Sequence, residues 1–321
     1  MKKKPIFIVF SDLHLHVYNQ FNSDYRRTNV GFDIVERLLK KNVPLLFCGD
    51  LFHEDQYISN YLLQLTILKL LEFSEKYGTP IYGISGNHDM SEQSGIHNLS
   101  PSFFRTLSLV IPNINHIDYQ AVSLNGVGVF GIPYFSYNMG IDKQIARFKK
   151  DPIYKKHKKR ILLIHTDLYG ARDTDGRKIN SVENIDPNME KYFKGFDLIF
   201  SGHIHKPQRI TKKIIMVGAP NQQRKSDMGG KFGYWEVYED LSYKFVRMKN
   251  PEYRFYIPSK DDIDGYHYWI PLEEKEDPQL AIEEKRFYST LNREKLAKRY
   301  CKTKGIKSKK KIQALKRMLN D

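Results

Sequence analysis

At 321 residues, with 40% hydrophobic and 28% charged side chains, the chain can bury one large core and carry an appendage, as a globular soluble protein does. No apolar stretch approaches the roughly 20 residues of a membrane span, and only about six apolar residues follow the basic start, too few for a signal-peptide core. Against 37 Asp and Glu stand 52 Lys and Arg, and the formal charge of +15 points to polyanionic partners.

The first two-thirds alternate apolar strand-like runs with amphipathic helical patterns, which predicts an α/β core. Ile6–Phe10 is the first strand and ends in Asp12-Leu13-His14. Two apart on an extended strand, Asp12 and His14 share a face and can reach one ion. Val35, Leu38 and Leu39 give a short helical face. Leu45–Cys48 ends in Gly49-Asp50, where the glycine permits a sharp turn and the carboxylate can bridge two cations. Tyr61, Leu62, Leu65, Leu68 and Leu71 repeat at helical spacing within 58–73. Ile81–Ser85 ends in Gly86-Asn87-His88-Asp89, in which Asn87 offers a neutral oxygen ligand.

Ser100-Pro101-Ser102 predicts a capped helix start. Ala121–Tyr134 reads as two strands around an Asn125-Gly126 hairpin turn. Ile161–Ile164 delivers His165, followed by a polar loop over 170–186 at the rim of the site. Leu198–Phe200 leads to Gly202-His203-Ile204-His205, and the pattern then becomes all-β, with strands at Ile214–Val217, Phe232–Tyr238 and Leu241–Met248. The predicted divisions are a main domain over 1–250, a reduced cap or linker over 251–278 and a basic helical tail over 279–321. Two segments concentrate the positive charge: Lys149–Arg160, which reads KKDPIYKKHKKR, and Lys285 onward, with only Glu294 and Asp321 against it. Cys48 falls in a buried strand and Cys301 in a basic helix, so no structural disulfide is expected and a reducing compartment is favoured.

Taken singly, each of these histidines and carboxylates reads as a polar residue at a strand end. Together Asp12, His14, Asp50, Asn87, His165, His203 and His205 are too many ligands for one ion and suit two that share a carboxylate. Oxygen and imidazole donors without cysteine fit Mn²⁺, Fe²⁺, Zn²⁺ or Mg²⁺. Such a pair can hold a phosphate and activate a water as the attacking hydroxide. His88 is the candidate for stabilising transition-state charge or protonating the leaving oxygen, with Asp89 orienting its ring.

The ordered set DxH, GD, GNHD, H and GHxH resembles the calcineurin-like metallophosphoesterase superfamily over residues 5–250. The resemblance implies an α/β fold: a metallophosphoesterase-type β-sandwich of two mixed sheets flanked by helices, with a small cap and a basic helical C-terminal tail. It implies one ion on Asp12, His14, Asp50 and His205 and another on Asp50, Asn87, His165 and His203, with Mn²⁺ the first candidate.

Within that superfamily, GDLFHE at 49–54 and Val217-Gly218-Ala219-Pro220 resemble the SbcD-type DNA repair exonucleases and their phage recombination-endonuclease relatives. That resemblance makes His53 a second catalytic histidine near the phosphate; the alternative is a helix-start histidine. It implies a metal-dependent DNA exonuclease or endonuclease in repair, recombination or end processing. The implied partners are DNA, an SbcC-like coiled-coil ATPase and a second copy of the chain, in the cytoplasm (the host's, if phage-encoded). The chain departs from the pattern at 16–22, where HVYNQFN replaces the usual glycine, and the segment after residue 250 reads as a shortened cap. Ile312, Leu315 and Leu319 form an apolar stripe among basic residues, which fits partner docking, a SAP-type DNA-binding module or packing on the chain's own domain. Alternatives for the whole are a phosphoesterase acting on a phosphoprotein, cyclic nucleotide or small phosphoester, and a non-catalytic scaffold. His16 reads as a site-edge or loop residue, and His97, His116, His157 and His267 as structural or surface histidines. Tyr57, Tyr134 and Tyr169 are candidates to line a nucleotide groove.

Overall fold

The structure is a computed structural model that describes residues 3–16, 27–53, 58–90, 102–134, 140–174, 176–179, 189–256 and 267–271. The first half runs β1 (Phe7–Phe10), α1 (Arg27–Leu39), β2 (Leu45–Phe47), α2 (Asn60–Tyr77), β3 (Ile81–Gly83), a 3-10 turn (Asn87–Asp89), α3 (Phe103–Val110) and β4 (Ile114–His116). Then follow β5 (Ala121–Leu124), β6 (Val127–Ile132), α4 (Ile141–Lys150), α5 (Pro152–Lys156), β7 (Lys159–His165), α6 (Met189–Tyr192), β8 (Leu198–Gly202), β9 (Gln208–Arg209) and β10 (Ile214–Met216). The last described elements are β11 (Gly233–Val237), β12 (Tyr243–Arg247), β13 (Tyr253–Tyr256) and β14 (Tyr268–Pro271).

Two six-stranded mixed sheets result, ordered β12-β11-β1-β2-β3-β4 and β5-β6-β7-β8-β10-β9, with β13 and β14 as a separate parallel pair. Within the sheets β1 to β4 and β6-β7-β8-β10 are parallel; antiparallel strands close one edge of the first sheet, at β11 and β12, and both edges of the second, at β5 and β9. Strand alternation divides the core into layers. Phe7 and Val9 join Leu46, Leu163, Phe200 and Trp235 between the sheets, whereas Ile8 and Phe10 face the helix side with residues of α1, α2 and α3. Phe130, Leu162 and Ile164 pack outward against Ile141, Ile145 and Phe148 of α4. The arrangement is helix, sheet, sheet, helix, and it buries both faces of each sheet.

Local signals account for the element ends. Ser59 accepts from Leu62 N at 3.2 Å to open α2, and Gly78, left-handed at φ 61°, closes it by donating to Ser74 O. α3 is capped by Ser102, which accepts from Arg105 N at 3.1 Å; Ser100 and Pro101 lie outside the described residues. Asn125 (φ 49°) and Gly126 (φ 76°) turn the β5–β6 hairpin, since a type I′ turn needs positive φ at both positions.

The all-β pattern after His205 divides between the sheets. β9 and β10 extend the second, while β11 crosses to pair antiparallel with β1, Phe7 opposite Val237 and Val9 opposite Trp235. The cap-or-linker segment contains β13 and β14, and the predicted basic tail, residues 279–321, lies outside the described residues. Among the described residues no helix is long and apolar enough to cross a membrane.

Candidate metal centre

β1, β2, β3, β7 and β8 all point their C-terminal ends at one place. Asp12, His14, Asp50, Asn87, His165, His203 and His205 meet there, drawn from both sheets. Asp12, Asp50 and His165 are no more than 1% exposed. Ligand atoms of Asp12, His14 and His205 lie within 4.8 Å of one another at one end, and those of Asp50, His165 and His203 do so at the other. Asp50 joins the two ends: its Oδ2 is 3.6 Å from His14 Nε2 and 3.2 Å from His165 Nε2. Asn87 Oδ1 is 3.1 Å from His165 Nε2 and 2.9 Å from His203 Nδ1.

The backbone achieves this convergence differently from the extended-strand expectation. β1 stops at Phe10, and Asp12, His14, Asp50 and His203 all adopt left-handed conformations, at φ 55°, 46°, 59° and 91°. Asp12 and His14 therefore converge through left-handed kinks in an irregular segment, whose amides bond Gly49 O and Asp50 O, and not through pleat alternation. Non-glycine residues in that region carry strain, and strain concentrates where surrounding structure over-determines a functional geometry. Gly49 (φ 93°) turns the chain into Asp50 and lies so close to Gly86 that a Cβ would stand 2.6 Å from Gly86 N. A Cβ on Gly86 would in turn overlap the Asp50 carboxylate.

Burial and charge set the protonation of the ligands. Burial pushes Asp12 up to about 7 and His205 down to about 3, and it lowers His14 and His203 as well. Burial also works to raise Asp50, but His165, His14 and His88 together hold that carboxyl well below the usual range. For His165 burial acts downward, and the Asp50 carboxylate outweighs it to carry the imidazole up to about 9.

The donor set fits a pair of divalent cations. His165 Nδ1 is committed to the Cys48 carbonyl at 2.6 Å, which turns Nε2 toward two oxygens, Asp50 Oδ2 and Asn87 Oδ1. Without a cation the ring meets those oxygens by holding a second proton on Nε2, the state its raised pKa favours; with one bound, the neutral Nε2 lone pair and both oxygens could face it together. His14 Nε2 and His205 Nε2 face each other at 3.0 Å, and among the described residues the buried Nδ1 of each has no hydrogen-bond partner. Nitrogen and oxygen donors, without thiolate, match Mn²⁺, Fe²⁺, Zn²⁺ or Mg²⁺.

The remaining candidates lie around this centre. The His88 ring is 4.8 Å from His14 and stacks on His53 at 5.9 Å, with 8° between planes. His88 N donates to Asp50 Oδ1 at 3.0 Å. Asp89 does not take the expected place against the His88 ring. Its Oδ2 accepts from Asp50 N and Gly86 N, each at 2.9 Å, and its Oδ1 from Leu51 N at 2.9 Å and Phe52 N at 3.4 Å. A buried carboxylate facing unpaired amides satisfies them in preference to a side chain. His16 is buried with its ring 5.2 Å from His53, and Tyr134 stacks on His203 at 5.8 Å. Tyr169 packs against the second core under Lys178, and Tyr57 and His97 lie outside the described residues. His157 bonds Ser123 Oγ and Gly126 O beside the hairpin, and His267 Nδ1 accepts from Glu252 N.

Three contributors carried no motif in the sequence. Asp167 Oδ1 lies 3.4 Å from His203 Nε2, on the side of the ring away from Asn87. Its position two residues after His165 was the one available signal. Gln223 Nε2 donates to Asp12 O at 3.0 Å and Leu13 O at 3.2 Å, which fixes the first ligand loop. Asp118 accepts from Ser85 N and Ser85 Oγ at 2.9 and 2.7 Å and pairs with His116 Nε2 at 2.6 Å, anchoring the strand end before Gly86.

The chain belongs to the calcineurin-like phosphoesterase family, whose pattern it matches over residues 6–207. The family is built on a two-metal site, and the clustered His and Asp residues here suit one. The chain is 25% identical over 231 residues to the SbcD component of the SbcCD nuclease of Staphylococcus epidermidis, an alignment covering 66% of this chain and 58% of that protein. It thus spans less than two thirds of that relative's length. Among solved structures it resembles a Staphylococcus aureus protein described as a 5'-nucleotidase and solved with alpha-ketoglutarate, at 15% identity and TM-score 0.45, covering 75% and 52% of the two chains. It also resembles the calcineurin-like phosphoesterase YfkN of Bacillus subtilis, at 14% identity and TM-score 0.40, covering 75% and 87%. Neither likeness bears on substrate.

Proposed function

We propose that the protein is a metal-dependent DNA nuclease of the SbcD type, hydrolysing phosphodiester bonds in repair, recombination or end processing in the cytoplasm. The observation that carries the hydrolytic half is the single Asp50 oxygen facing His14 and His165 from the two ends of the site. The choice of DNA is supported by GDLFHE at 49–54, by the SbcD relative and by the charge of +15. The same relative supports an SbcC-like ATPase as partner, with the basic segment over 279–321 as its docking or DNA-binding element.

One ion is assigned to Asp12, His14, Asp50 and His205, and the other to Asp50, Asn87, His165 and His203, with Mn²⁺ as the first candidate. When bound, the two cations supply Lewis acidity to the phosphoryl oxygens and lower the pKa of the attacking water. Asp50 is held for this by the His88 amide on Oδ1 and by its own amide on Asp89. The His88 ring, backed by His53, is placed to donate to the phosphoryl oxygen or protonate the leaving oxygen.

Cleavage of a labelled DNA duplex and single strand with Mn²⁺ tests the reading. His88→Ala is expected to lower the cleavage rate by about 10²–10⁴-fold while Mn²⁺ binding survives. DNA left intact under conditions that hydrolyse bis(p-nitrophenyl) phosphate would overturn the substrate and leave a phosphoesterase of smaller esters or phosphoproteins.

A further inference from the structure

The basic stretch that ends at Arg160 forms a definite surface. From Lys143 to Arg160 there are nine Lys and Arg and one acid, Asp151. That acid is consumed as a cap, accepting from Ile153 N at 2.7 Å to start α5. Lys149 and Lys150 end α4, Lys155 and Lys156 end α5, and all four are exposed. Among the described residues none of the four enters an ion pair.

The surface continues onto the turn before β8. Arg160 lies over the Tyr154 ring at 4.0 Å and donates to Tyr154 O at 2.9 Å and to Gly195 O at 3.4 Å. The Lys149 stem reaches the same turn, 3.8 Å from where a Gly195 Cβ would stand, beside exposed Lys194. Cations in last turns complement helix dipoles, which explains one or two of them and not this excess.

We propose that the face formed by the end of α4, by α5 and by the Lys194–Gly195 turn docks the sugar-phosphate backbone of duplex DNA. It rests on the nuclease reading and adds to it a surface separate from the metal centre. β7 starts at Lys159 within the face and ends at His165 in the centre, so its seven residues set the two about 20 Å apart. Laid end to end, the last turn of α4 and the length of α5 would reach about 13 Å. Laid parallel to the duplex axis, such a length would match about four phosphates of one strand, which rise roughly 3.4 Å each along that axis. Asp151 and Asp197, the acids beside this face, are engaged by backbone amides, of Ile153 and of Arg160, and lysines outside any ion pair suit a repeating phosphate row.

The test uses the full chain with Mn²⁺ and a fluorescent duplex, with anisotropy measured from about 50 to 200 mM salt. The variant is Lys149→Glu, Lys150→Glu, Lys155→Glu and Lys156→Glu combined. We expect at least tenfold weaker duplex binding, and a log–log salt slope shallower by about two to four. Hydrolysis of bis(p-nitrophenyl) phosphate and the melting temperature stay at wild-type values. Unchanged affinity and slope overturn the proposal and leave an acidic protein or bulk solvent as the occupant. So does a wild type that does not bind duplex. A wild type that binds duplex through this face yet never cuts DNA refutes the nuclease reading and leaves the surface standing.

Discussion

The backbone amide of Asp50 donates to Asp89 Oδ2 at 2.9 Å, so the residue at the centre of the site is aimed by an acid 39 positions away. Because the same carboxylate takes Gly86 N, Leu51 N and Phe52 N, it pins two ligand loops to each other.

Asp89→Asn replaces one acceptor oxygen with an amide NH₂ that must face backbone N–H groups. Hydrogen bonds to a charged group are worth about 1.5–3 kcal/mol each, and unmade buried ones cost a similar amount. The variant is expected to lose about 3 kcal/mol of metal-free stability and to bind Mn²⁺ more weakly. Urea unfolding in EDTA and calorimetric titration read both; an unchanged midpoint would show that the four amides find other partners.

Asp167→Ala removes the oxygen that faces His203 Nε2. Asp167 acts on the ring through charge at 3.4 Å, so the loss in metal affinity should lie near the lower end of the roughly 10–100-fold seen for hydrogen-bonded partners of ligating histidines. The loss should fall on the cation assigned to Asn87, His165 and His203, with the other retained. Two-step Mn²⁺ titration followed by electron paramagnetic resonance distinguishes the steps, and equal weakening of both would contradict the assignment.

Metal loading should release protons. Burial lifts Asp12 to about 7, and Asp50 carries His165 to about 9 against the burial penalty, so both hold protons at pH 6 when no cation is bound. Asp12 and His165 stand above their ordinary 3.8 and 6.5 and so lose metal-free stability as pH rises, whereas His14, His203 and His205, held below 6.5, gain it as pH climbs toward 6.5; the net fall should therefore lie between about 7 and about 9. Apparent Mn²⁺ affinity should rise over pH 6 to 9, because the cation displaces those protons. Calorimetry in buffers of different ionisation heat measures the release, and a pH-independent affinity refutes it.

Gly86→Ala places a methyl group on the Asp50 carboxylate and 2.5 Å from Asp50 N. Overpacking of this kind costs about 1–3 kcal/mol, and here it also displaces the shared ligand. A lowered melting temperature together with loss of bound Mn²⁺ is expected. A variant that melts lower but keeps two Mn²⁺ per chain would separate folding from the site.

Much of the site was legible because ligand chemistry is written in residue type and strand ends in apolar runs. The ends of β1, β2, β3, β7 and β8 each carried a recognisable polar residue, and the Asn125-Gly126 turn fell where the hairpin turns. Other elements were not legible. α4 shows its helical spacing, Ile141, Ile145 and Phe148, only once its bounds are known, β4 is too short at three residues to show a period, and β13 and β14 lay in a segment read as cap or linker.

By itself the sequence determined which side chains could bind a cation, their order, and the apolar runs that would bring them to sheet edges. Tertiary structure alone decided that Asp12, His14, Asp50 and His203 turn left-handed, that Asp89 serves backbone amides, and that Asp167 stands behind His203. It also decided that β11 closes beside β1, more than two hundred residues away in the sequence. These are matters of packing: a residue's donors and acceptors are fixed by its type, but which buried group it must satisfy depends on what the fold brings against it.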